Sequence, residues 1–69
     1  MAITRCSHKK AFGVYLWDTF DNETILLRDF NSRSAASRWA RKSHPPQKNG
    51  ADQIDIVNRR GDIIEKYEI

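Results

Sequence analysis

A chain of 69 residues with 39% hydrophobic and 30% charged side chains has the composition of one small globular domain, not of a disordered segment. At this size only about 60% of the unfolded chain's surface is buried, so the core is thin and leaves little room for an enclosed active site. The lone cysteine, Cys6, excludes an intramolecular disulfide, and no stretch reads as a signal peptide or membrane span, which points to a reduced, cytoplasmic protein with no membrane partner.

Residues 1–10 are polar and basic and read as an arm or short edge strand. Residues 11–17 (AFGVYLW) are rich in aromatic and branched side chains, as strands are. Alternation places Phe12, Val14 and Leu16 on one face and Tyr15 and Trp17 on the other. Residues 18–23 (DTFDNE) form a turn in which aspartates bond the backbone, and residues 24–30 (TILLRDF) return as the second strand of an antiparallel hairpin.

The next segment predicts a helix. Ser32 supplies an N-cap hydroxyl, and Ala35, Ala36, Trp39 and Ala40 recur at helical spacing. The helix ends before Pro45, because a proline disfavours helical backbone at the preceding His44 and cannot donate a hydrogen bond itself. Residues 45–52 form a loop with an Asn49–Gly50 turn signal. Residues 53–58 (QIDIVN) alternate as a half-buried strand, and residues 58–61 (NRRG) make a tight turn. Residues 62–69 are the last strand, with Ile63, Tyr67 and Ile69 on one side. The order β-β-α-β-β predicts a single α+β domain over residues 1–69, one helix packed across a mostly antiparallel sheet.

Charge placement says more than the net charge of +3. Between Phe30 and Ala51 there is no carboxylate, yet Arg33, Arg38, Arg41, Lys42 and Lys48 all fall there. With Trp39 and the alanines turned inward, the outer helix face holds Arg33, Arg38, Arg41 and Lys42 beside Ser34 and Ser37, with no acid nearby in sequence. An exposed helix usually mixes signs, since acid–base pairs at i,i+4 stabilise it. An unmatched cationic face suits phosphate oxygens; it also suits plain solubility, with last-turn cations favoured by the helix dipole. Arg59 and Arg60 at a hairpin tip form a second cluster, equally compatible with contact to a phosphate or acidic surface and with an ordinary exposed turn. Tyr15 and Trp17 offer a stacking surface for bases if their sheet face is open, although the N-terminal arm is placed to cover it. Asp52, Asp55, Glu65 and Glu68 alternate with apolar residues and read as a solvated strand face.

Catalytic chemistry finds little to work with. Cys6, His8 and His44 are the only candidates for a thiol–imidazole pair or metal ligands, and the paired spacing of a four-ligand zinc site is missing. Gly13, Gly50 and Gly61 are isolated, so there is no phosphate-cradling loop. The expectation is a non-enzymatic binding protein with no cofactor, metal or small-molecule substrate. Its partner is a protein or nucleoprotein complex, with DNA as a further candidate.

Two family resemblances sharpen this. Residues 28–42 (RDFNSRSAASRWARK) resemble the strand-Phe-x-Ser/Thr-helix junction of the arm-type DNA-binding domains of phage integrases and of AP2-like modules. That resemblance implies a sheet entering the major groove with the helix bracing it. Those domains usually place three strands before the helix and end with it, whereas this chain has two and adds a hairpin. Over residues 24–42 and 53–68 the order resembles small phage proteins that inhibit CRISPR surveillance complexes, in particular a type I-F anti-CRISPR family. The shared pattern is two strands, a Ser-capped helix rich in alanine and basic residues, and a hairpin with an Asn and Gly turn. It implies that Arg33, Arg38, Arg41 and Lys42 occupy the nucleic-acid channel of such a complex and block target hybridisation.

Overall fold

Two hairpins with a helix between them build the domain, in the order read from the sequence. The computed structural model describes residues 8–48 and 50–69. Strands β1 (Phe12–Asp18) and β2 (Glu23–Phe30) form the first hairpin, helix α1 (Arg33–Ser43) follows, and β3 (Gln53–Val57) and β4 (Ile63–Glu68) form the second. The sheet order is β2-β1-β3-β4, with every neighbouring pair antiparallel. Since β2 and β3 both run against β1, they run parallel to each other. The chain therefore crosses over β1 between them, and α1 is that crossover, touching β1, β2 and β3.

Local chemistry closes each turn. Asp18 Oδ1 accepts from the backbone N–H of Phe20 (3.0 Å) and Asp21 (3.3 Å), and Asn22 takes the left-handed conformation at φ 55°. In the second hairpin Asn58 Oδ1 accepts from the N–H of Arg60 (2.9 Å) and Asp62 (3.0 Å), with Gly61 at φ 86°. Ser32 Oγ accepts from Ala35 N–H at 3.1 Å, satisfying one of the free amides at the helix start. The last helical bond runs from His44 N–H to the Ala40 carbonyl at 2.7 Å, immediately before the diproline.

The core lies between α1 and one sheet face. Ala36 and Ala40 meet Val14, Ile54 and Ile56, all fully buried, and the short alanine side chains let the helix approach the sheet closely. Phe12, Leu16, Leu27, Phe30, Ile64, Tyr67 and Ile69 pack around this centre. Trp39, expected inside, is half-buried at the margin, 5.7 Å between centroids from Phe30 and 5.8 Å from His44. Both outer strands carry a bulge: Leu27 in β2 and Ile64 in β4 have no register partner, and both pack towards the helix. The bulge in β4 corrects the expectation that Ile63 shares a side with Tyr67 and Ile69. Ile63 pairs with Val57 on the far face, and Ile64 takes the core position, because one inserted residue reverses the alternation.

The far face is not solvated at its centre. Tyr15, Asp55 and Val57 are buried there, which corrects the reading of Asp55 as a solvent-facing acid. Gln53 Nε2 donates to Asp55 Oδ1 at 2.6 Å, and burial pushes the Asp55 carboxyl above its usual range, partly offset by that bond and by the Lys66 charge. His8 packs on the same face, its Nδ1 2.8 Å from the Tyr15 hydroxyl. Gly13 makes room for it, since a Cβ there would lie 2.6 Å from His8 Cγ. Next to it, Asp29 Oδ2 accepts from the N–H groups of Lys9 (2.9 Å) and Lys10 (3.0 Å), which hold its carboxyl below the ordinary value. The rest of the proposed arm, residues 1–7, and Asn49 lie outside the described residues. Among the described residues no helix is long and apolar enough to cross a membrane.

Candidate functional site

The outward half of α1 separates into two sides with different electrostatics. With Ala36 and Ala40 against the sheet, the helical repeat of about 100° per residue aims Arg33, Ser37 and Arg41 towards β4. Glu65 meets them there. It sits opposite Ile56 in the β3–β4 register, on the helix side, and its side chain is only 19% exposed. Arg33 Nε donates to Glu65 Oε2 at 2.8 Å, and Arg41 Nη2 donates to Oε1 at 3.4 Å. Ser37 Oγ donates to the same Oε1 at 3.2 Å and accepts from Arg41 Nε at 3.3 Å. The Arg41 guanidinium also lies 4.6 Å over the Tyr67 ring, whose hydroxyl donates to the His44 carbonyl at 2.9 Å.

This network overturns the expectation that the helix cations have no acid to match them. Glu65 lies 32 positions from Arg33 and 24 from Arg41, so no helical spacing rule links it to them. The hydrogen bond from Arg33 holds the Glu65 carboxyl below its ordinary value, opposed by partial burial and assisted by Ser37 and Arg41. Burial pushes the Tyr67 hydroxyl upward, with Arg41 opposing.

Arg38 and Lys42 stand apart from this network. Both are exposed, and among the described residues neither makes an ion pair. They lie one turn apart on the crest of the helix and on its β2 side. Arg28, a residue the sequence reading passed over as part of a strand, extends the positive charge towards that edge. Its guanidinium lies 5.3 Å from the Phe30 ring centroid and 6.0 Å from that of Trp39. The signal in the sequence was faint: an Arg two places before Phe30, with an aromatic due on the neighbouring helix.

The remaining predicted cations lie elsewhere. Lys48 is exposed in the loop that Gln47 ties to the end of β4, its N–H bonding the Glu68 carbonyl at 2.9 Å. Arg59 and Arg60 are exposed in the turn after Val57, a residue that pairs with Gly13 at the opposite end of the sheet. The seven predicted residues therefore fall into a helix group and two outlying groups.

Of the catalytic candidates, the two described histidines do not meet. His8 packs on the far face against Tyr15 and His44 packs on the helix side against Trp39, while Cys6 lies outside the described residues. Among the described residues no three His, Cys, Asp or Glu side chains are grouped so as to hold a metal ion. Tyr15 is 2% exposed with its hydroxyl bonded to His8, so it offers no stacking surface, and Trp17 is half-buried.

The fold and this face define a small α+β domain, one helix over a four-stranded antiparallel sheet, with cations presented on the helix and at both ends of the sheet. No protein-family model, curated protein or solved structure matches the chain.

Proposed function

We propose that this chain is a non-enzymatic binding domain that sets the outer face of α1 against the phosphates of a nucleic acid held in a nucleoprotein complex. One observation carries the reading. The helix cations nearest the sheet, Arg33 and Arg41, are oriented by Glu65, while Arg38 and Lys42 at the crest are exposed without an acidic partner among the described residues. Guanidiniums already oriented by Glu65 lose little further side-chain entropy on meeting a phosphate, and the exposed cations beside them add charge. In its most concrete form, which rests on the order of elements, the partner is a CRISPR surveillance complex in the cytoplasm of a phage-infected host, and binding prevents target DNA from hybridising.

A direct DNA-binding module that inserts its sheet into the major groove is the second reading, and it has less support. The far sheet face carries Asp29 and Glu68 beside Lys66, while Asp55 and the central aromatic, Tyr15, are buried. Acids at a groove-facing surface repel phosphate.

The test is the double reversal Arg38→Glu/Lys42→Glu, measured for binding to a purified surveillance complex and to free duplex DNA across a salt series. The proposal expects binding to the complex to collapse while the fold, read by circular dichroism, stays intact. Where the contacts are to phosphate, losing two cations lowers the salt slope by about 2. Binding to the complex that survives the double reversal defeats the helix reading. Salt-steep binding to free DNA that also survives it transfers the function to the sheet.

A further inference from the structure

The two edges of the sheet are not alike. Strand β4 is short and studded with charge, Glu65, Lys66 and Glu68, the usual protection against pairing with another chain. Strand β2 is longer, and between Glu23 and its bulge at Leu27 it has no such guard: Thr24, Ile25 and Leu26 are uncharged and exposed. The large hydrophobic side chains exposed among the described residues are Phe20, Ile25 and Leu26, at 95%, 46% and 36%, and all belong to this one hairpin. Exposed apolar groups gathered on an edge that no described strand pairs mark an association surface.

We infer that β2 pairs with β2 of a second copy of this chain, antiparallel about a two-fold axis through Ile25. The strand is self-complementary in that register. Ile25 faces its own copy, and Thr24 lies opposite Leu26 on the other sheet face, so the two exposed aliphatic side chains of each chain are covered. Side chains on the same face match across the axis, as antiparallel pairing requires. Glu23, on the helix side, then lies beside Arg28 of the second copy, because the bulge at Leu27 makes two residues of one strand oppose one of the other. A register shifted by one residue sets Ile25 against Leu26 on opposite faces and loses these matches. The product is a continuous eight-stranded sheet. The two-fold axis stands perpendicular to the sheet, so both α1 helices lie on one face. This dimer stands independently of the proposed function, and it would place two cationic helices side by side.

The test uses the full chain. Sedimentation equilibrium at roughly 100 µM, a concentration that populates a micromolar complex, should give twice the 8.1 kDa chain mass. Ile25→Lys places like charges opposite each other and should return the monomer mass with an unchanged circular dichroism spectrum. In a Cys6→Ser background, Ile25→Cys should oxidise to a covalent dimer, since residues directly opposite have Cα atoms about 4.5–5.5 Å apart, within disulfide reach. Glu68→Cys on the other edge should not. A monomer mass for the folded wild-type chain, or equal cross-linking of the two cysteine variants, overturns the proposal and leaves the edge to a strand of another protein.

Discussion

Replacing Glu65 with Gln tests whether the helix depends on an acid from the opposite end of the chain. The substitution keeps the shape and one acceptor but removes the charge that Arg33 and Arg41 share. The guanidinium side chains are 56% and 46% exposed, so solvent screens both pairs and discounts their worth. The 2.8 Å bond to Arg33 carries most of what remains, and the 3.4 Å contact to Arg41 little. Together the loss is about 1 kcal/mol, which for a domain of this size lowers Tm by about 4–8 °C. The carboxyl titrates lower in the folded chain than its unfolded value of 4.5. Its stabilisation is therefore full above that value and fades as pH falls through the folded value. Thermal unfolding of both proteins, followed by circular dichroism, should show the deficit at pH 7 and its narrowing as the pH is lowered below 4.5. Adding 1 M salt at pH 7 should shrink it, because exposed pairs are screened over about 3 Å at that ionic strength. An unchanged Tm at pH 7, or a deficit that does not narrow in acid, would refute the reasoning.

Further substitutions probe the scaffold. Ser32→Ala removes the cap on Ala35 N–H and should reduce stability by about 1 kcal/mol in urea unfolding. Ala36→Leu drives a larger side chain into a fully buried contact with the sheet and should destabilise by about 1–3 kcal/mol in the same assay. Asp55→Asn relieves a buried charge. Because the Asp55 carboxyl titrates higher when folded than its unfolded value of 3.8, its contribution is favourable below that value and lost as pH rises through the folded value. The Asn variant should therefore be more stable than wild type at pH 7, on the order of 1 kcal/mol, and lose that advantage in acid. Gly13→Ala should cost about 1–3 kcal/mol by displacing His8 from Tyr15.

Much of the fold was legible because its signals are local. The cap at Ser32, the stop before Pro45, the turn at Asp18 and the glycine turn at Gly61 each act within a few residues, and each is present. The strand alternation of Phe12, Val14 and Leu16 is also local, and these residues do face the helix. The candidate site was only half legible. The outward placement of Arg38 and Lys42 follows from helical periodicity, but the fate of Arg33 and Arg41 depends on Glu65, which no local rule connects to them. Arg28 has one aromatic neighbour, Phe30, on its own strand, but the other, Trp39, belongs to a different element that no local rule connects to it.

By itself the sequence determined which segments are strands, where the helix begins and ends, and which of its residues turn outward, since all of these follow from backbone sterics and short-range hydrogen bonds. Only the tertiary structure decided that β1 lies in the middle of the sheet, that bulges turn Leu27 and Ile64 inward, and that Asp55 is buried. The same level brought Glu65 under the helix. Those outcomes depend on register and on which elements stack, and a one-residue bulge in a strand reverses the face of every side chain beyond it.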